Sequence, residues 1–143
     1  MAAITGAMVD GVNVVYPKLT AKANESKHLV TAMLSFLRRT NDGSARALHR
    51  IRAYECIADV DHIFDSTPGC FLDDASAHRV LNSYEQFLVH YNWLCRESLE
   101  LGHPRYNITF KVHALYHMCF FSRFLHPRCT SGYKYEDYVG HVK

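Results

Sequence analysis

The chain has 143 residues, 48% of them hydrophobic and 21% charged, and sixteen basic against fourteen acidic side chains leave a formal charge of +2. A chain of this size buries roughly two thirds of the surface its unfolded form exposes, enough for one core. The balance of signs excludes a disordered acidic or basic tail, no apolar run approaches the ~20 residues that span a bilayer, and Gly and Pro are too few for a low-complexity chain.

Residues 1–20 read as an irregular N-terminal arm, because Gly6, Gly11 and Pro17 punctuate short apolar runs. The run Val12 to Tyr16 is open to two readings, a short strand or an extended stretch. Residues 21–143 are expected to form a single helical domain. From Lys22 onward, Leu29, Val30, Met33, Leu34 and Leu37 fall at helical spacings, and Asn41-Asp42-Gly43 stops that helix. Ser44 can cap a second helix to about Asp65, with Leu48, Ile51, Tyr54, Ile57, Ala58 and Phe64 on its apolar side. After the break Ser66-Thr67-Pro68-Gly69, a third helix runs from about Asp74 to Leu101. Its expected buried stripe is Val80, Leu81, Tyr84, Phe87, Leu88, Tyr91, Leu94 and Cys95, and Gly102-His103-Pro104 closes it.

The fourth helix, about Thr109 to Leu125, is apolar on nearly every side, which predicts a central place in the core. Pro127 is expected to end it, and a loop over Cys129-Thr130-Ser131-Gly132 leads to a short C-terminal helix in Tyr133 to Lys143. The predicted fold class is all-α, a bundle of four long helices with an irregular N-terminal arm and a short C-terminal helix.

Cys56, Cys70, Cys95, Cys119 and Cys129 are odd in number and contain no C-x-x-C pair. Reduced thiols in cytosol or nucleus are therefore expected, and the first six residues lack the basic start and apolar run of a signal peptide. His113 and His117 lie at i and i+4 and could share a metal. However, Ala114 stands where a zinc protease helix needs Glu. No metal site and no cofactor are therefore expected, and hydrogen bonding of both His inside the bundle is the plainer reading. Cys119, His126 and Cys129 would need the fold to bring them together. Asp59, Asp61 and Asp65 form the densest acidic cluster and read as a solvated helix end, while Asp73 and Asp74 are explained by capping. Arg38, Arg39, Arg46 and Arg50, with Arg52 and His49 nearby, concentrate positive charge around the first helix–helix turn and are the candidate nucleic-acid contacts. The abundant Tyr and Phe sit mostly at core spacings.

Three stretches carry a resemblance. Pro17-Lys18-Leu19-Thr20-Ala21-Lys22-Ala23-Asn24-Glu25-Ser26-Lys27-His28-Leu29 resembles a P-K-L-x-x-K-A-x-E-S/T-R/K-x-L segment. Phe110 to His117 resembles a K-x-H-x-x-x-H helix, and Tyr135 to Lys143 a Y-x-D/E-D/E-x-x-G-x-V/M-K ending. In this order they resemble the C-terminal part of transposase-like proteins abundant in dinoflagellate genomes. That resemblance implies a piece of a ribonuclease-H-like transposase of the Asp-Asp-Glu type, in which carboxylates on separate elements hold two divalent metals. Glu136 or Asp137 would then match the last catalytic acid, and His113 the helix motif. The strands bearing the earlier aspartates have no counterpart in these residues, so no catalysis is expected.

The first functional expectation is thus a non-catalytic helical fragment or domesticated remnant of a transposase-like protein, with at most weak, non-specific DNA contact. The alternative is a helical protein–protein interaction module without a nucleic-acid role. A metal-binding protein using His113 and His117 comes third. A continuous basic patch over Arg38, Arg39, Arg46 and Arg50 favours the first, and an exposed apolar face the second.

Overall fold

The computed structural model describes residues 5–9, 12–16, 23–103, 105, 106 and 108–130, with side chains described from residue 29 onward except at 128 and 130. Strand β1 (Thr5–Val9) pairs antiparallel with β2 (Val12–Tyr16), Thr5 opposite Tyr16 and Val9 opposite Val12. The N-terminal stretch is therefore a β-hairpin over these residues rather than an irregular arm. Of the two readings of Val12–Tyr16, the strand is the one the chain adopts.

Four long helices follow: α1 (Ala23–Arg39), α2 (Ala45–Ser66), α3 (Asp74–Glu100) and α4 (Phe110–Phe121). From Ala23 onward the described chain is the expected all-α helical bundle, and the helix starts lie where local chemistry puts them. The Ser44 hydroxyl accepts from the Ala47 N–H at 3.1 Å and opens α2. The Asp73 carboxylate accepts from the Ser76 N–H at 2.8 Å and opens α3. These bonds to Ser76 hold the Asp73 carboxyl below its usual range. At the other end of α3, Gly102 takes φ +69°, its N–H donates to Leu99 at 2.9 Å, and the His103 N–H donates to Ser98 at 3.0 Å. This is the Schellman arrangement, which a side chain at position 102 would strain.

α2 and α3 run antiparallel and carry most of the packing: Arg46 near the start of α2 pairs with Glu97 near the end of α3, and Asp59 with Arg79. α1 packs on α2, and α4 on α3. The main core joins Val60, Ile63 and Phe64 of α2 to Ala77, Val80 and Tyr84 of α3 and Cys119 of α4, with Leu72 from the connection closing one end. A smaller cluster joins Leu34 and Leu37 of α1 to Ile51 of α2. Each buried aliphatic or aromatic side chain here contributes about 1.5–3 kcal/mol. Leu48 is 49% exposed, contrary to expectation, while Val60 and Ile63 supply the burial. α2 meets a helix on two sides, so one stripe does not describe it.

The expectation for the fourth helix is corrected most. Cys119 is the one fully buried residue described in α4, whereas Phe110 is 82% and Phe121 50% exposed. Val112, Leu115 and Tyr116 lean on the main core, and the Tyr84 hydroxyl donates to the Val112 carbonyl at 2.8 Å. Among the described residues no element covers the opposite side, so the helix lies at the margin of the core. It also ends earlier than expected, at Phe121. The chain then turns back, and the His126 N–H donates to the Cys70 carbonyl at 2.7 Å. Pro127 begins the short helix α5 (Pro127–Thr130) rather than ending α4, since a first helical position has no use for the N–H that proline lacks. The expected helix within residues 133–143 lies outside the described residues. No helix among the described residues is long and apolar enough to cross a membrane.

Candidate functional site

The arginine cluster is the first candidate, and its charges do not all face solvent unpaired. Arg38 donates to one carboxylate oxygen of Glu55 at 2.8 Å, and Arg52 to the other at 2.9 Å. The bond from Arg38 is the main cause holding the Glu55 carboxyl below its usual range. Arg46 Nε donates to both carboxylate oxygens of Glu97, at 2.8 and 3.0 Å. That pair raises the guanidinium further above its ordinary value, so Arg46 stays a cation whose charge is offset by the Glu97 carboxylate. Arg39 and Arg50 have no carboxylate partner among the described residues. Arg39 is exposed, while Arg50 is half-buried. A continuous row of four free cations is therefore broken at two positions.

His49, beside these arginines, faces α3. Its ring stacks flat on Trp93, 4.1 Å between centroids, and its Nδ1 lies 3.0 Å from Nδ1 of His90. Only one of the two nitrogens can carry the proton of that bond, so the contact needs at least one neutral ring. Burial, then the neighbouring His49 and Arg52, hold His90 below its ordinary value, with Glu55 opposing. The unfolded chain binds this proton more readily than the folded one, so acid favours unfolding. The contribution is full above the unfolded value of about 6.5 and is lost as pH falls through the lower folded value. The melting temperature is expected to drop between pH 7.5 and 5.5, above the carboxylate range, and His90→Gln is expected to flatten that drop. Thermal melts of both proteins across this window check it.

The acidic cluster does not act as one group. Asp59 accepts from the Ser83 hydroxyl at 2.6 Å and from Arg79 at 3.2 Å, which ties it to α3. Asp61 is half-buried and Asp65 exposed. Among the described residues no group of three or more His, Cys, Asp or Glu side chains could hold a metal ion. These residues therefore do not supply the carboxylate set that a two-metal transposase centre needs. Glu136 and Asp137 lie outside the described residues. Cys119 and His126 are buried and Cys129 is exposed. None of the five cysteines forms a disulfide.

His113 and His117 do hydrogen-bond, but to each other, Nε2 to Nε2 at 2.9 Å, and both are exposed rather than inside the bundle. They belong to a surface that sequence reasoning missed. Along the outward side of α4, Phe110 lies 6.2 Å from His113, His113 4.4 Å from His117, and His117 stacks on Phe121 at 5.9 Å. Phe124 continues the row 6.4 Å from Phe121, and the Arg123 guanidinium sits over the Phe120 and Phe124 rings at 5.2 and 4.8 Å. Met118, Phe124 and Leu125 are exposed as well. No acidic residue occurs between Glu100 and Glu136, so the only charges along α4 and the turn after it are cationic. The signal was present as a helix apolar on all sides, which fits either a central helix or one with an uncovered face.

No protein-family model matches the sequence, and comparisons with curated proteins and with solved structures find no significant similarity.

Proposed function

We propose that the chain is a non-catalytic helical module that docks another protein through the outward face of α4. The observation that carries this reading is the uncovered aromatic row, with Phe110 82%, Phe121 50% and Phe124 57% exposed. Monomeric proteins rarely leave apolar side chains contiguous over such a length unless a partner covers them. Aromatic and arginine anchors are the side chains that dominate binding energy at protein interfaces. Charge selects the class of partner. Lys111 and Arg123 are the cations of this helix and the turn after it, and the segment from Phe110 to Thr130 carries no carboxylate. An amphipathic segment with an apolar stripe and acidic flanks suits it, lying along α4 as helices lie in grooves.

In the transposase-like resemblance this face is the K-x-H-x-x-x-H helix. We propose as its origin a remnant that kept a contact surface without catalysis. Weak, non-specific DNA contact is the second reading, favoured by Arg39, which is exposed and without a carboxylate partner among the described residues.

A photo-cross-linking residue at position 121, in cells of the source organism, tests the first reading. It is expected to give a discrete adduct with a protein that carries an acidic amphipathic segment and binds again when both are purified. The same residue at the exposed position 79 of α3 is expected to give none. Absence of an adduct at 121, or equal adducts at both positions, would overturn the reading. An adduct of twice the chain's own mass would replace the heterologous partner by a second copy.

A further inference from the structure

A cavity of about 350 Å³ opens between α1, α2, α3 and the chain just beyond α3. Its wall is mainly apolar, with Met33 from α1 and Phe87 and Leu94 from α3, and its polar groups are few: Tyr54, Tyr106 and Arg50 among them. Among the described residues no carboxylate lines it. A volume at the lower end of the small-molecule range, apolar walls and a few polar groups are the ordinary attributes of a ligand site.

Arg50 gives the site its sign. Arg46 and Arg38, its neighbours in the cluster, are each held by a carboxylate, whereas Arg50 has no such partner among the described residues. It is half-buried against the apolar wall, where an unpaired cation is costly and a bound anion would relieve the cost. Arg50 and Tyr106 also line a smaller recess of about 70 Å³, whose other walls include His103 and Arg105. The one acid there among the described residues, Glu97, has both oxygens taken by Arg46. The two cavities therefore share a wall at Arg50 and Tyr106, with apolar space on one side and basic groups on the other. The phenol of Tyr54, more deeply covered, is pushed up by burial and drawn down by the nearby Arg50, which fits one low-dielectric pocket with one cation.

We propose that this cavity binds a small amphipathic monocarboxylate, its apolar body in the larger space and its carboxylate on Arg50. The site is separate from the α4 face and does not depend on the reading of that face.

Calorimetric titration of the full chain with octanoate, its neutral counterpart octanol and its cationic counterpart octylamine tests the proposal. Saturable one-to-one binding of octanoate is expected, with octanol weaker by about tenfold or more, as loss of a charge-assisted contact implies, and octylamine weaker still. Arg50→Met is expected to bring octanoate down to the level of octanol, while Arg50→Lys keeps part of the preference. Met33→Trp, which fills the apolar space, is expected to remove binding of both. Phe121→Arg is expected to change nothing, which separates the cavity from the α4 face. Melting curves establish that each variant folds. Failure of octanoate to saturate, equal affinity for octanoate and octanol, or octanoate binding that survives Arg50→Met or Met33→Trp in folded protein would each overturn the proposal.

Discussion

Tyr84→Ala is expected to lower stability by about 3–5 kcal/mol, the range found when a large buried aromatic is truncated. Tyr84 is only 2% exposed, packs its ring on Phe87 and Tyr116, and donates its hydroxyl to the Val112 carbonyl at 2.8 Å. It is the point where α3 holds α4. Tyr84→Phe keeps the ring and loses the hydrogen bond, so a cost of about 1 kcal/mol is expected. Against a total of about 5–15 kcal/mol for a domain, the first change leaves the fold near its limit and the second does not. Urea unfolding followed by circular dichroism separates them. Equal losses in the two variants would mean that the ring is not packed as described.

The second large effect is chemical. Burial, with a smaller push from the Asp61 carboxylate, raises the Cys119 thiol to about 12. A thiol reagent near neutral pH acts on the thiolate, so the shift alone slows Cys119 by about a thousandfold or more relative to an ordinary cysteine. Cys70 and Cys129 are exposed and are expected to react first. Burial also raises the thiols of Cys56 and Cys95, which are half-buried, and these are expected to follow. Cys119 is expected to be labelled only on unfolding, and sooner in Tyr84→Ala, because Tyr84 and Cys119 share one cluster. Mass spectrometry of peptides after timed labelling gives the order. Rapid native labelling of Cys119 would contradict its place in the core.

What could be read from sequence divides along the range of the interactions. Ser44 and Gly102 act on their own turns, so the second helix starts, and the third ends, within a residue of expectation. The N-terminal hairpin was also local. Asp10-Gly11 stands between the apolar runs Thr5–Val9 and Val12–Tyr16, and that dipeptide is a strong hairpin signal which a reading centred on one run passes over. The fourth helix was misplaced for a different reason. Hydropathy reports how apolar a helix is and says nothing of how many neighbours it has, so Phe110 and Phe121 read as core while standing in solvent.

The basic patch shows the same limit in electrostatics. Arg38 and Arg46 stand together in sequence, but their acids, Glu55 and Glu97, lie 17 and 51 residues away. Only the antiparallel packing of α2 on α3 brings Arg46 to Glu97, while Arg50 lines a cavity. His113 and His117 were legible as a pair because four residues make one helical turn. Their exposure was not legible, since it depends on where α4 docks.

The claim that α4 presents a docking surface is tested most directly by the affinity of the purified cross-linked partner for this chain and for Phe121→Arg. Phe121 is half exposed and is not one of the buried core residues, so the variant is expected to melt within about 0.5 kcal/mol of the parent. Its affinity for the partner is expected to fall by about thirtyfold or more, the effect of losing an aromatic anchor. An unchanged affinity in the folded variant would contradict the account.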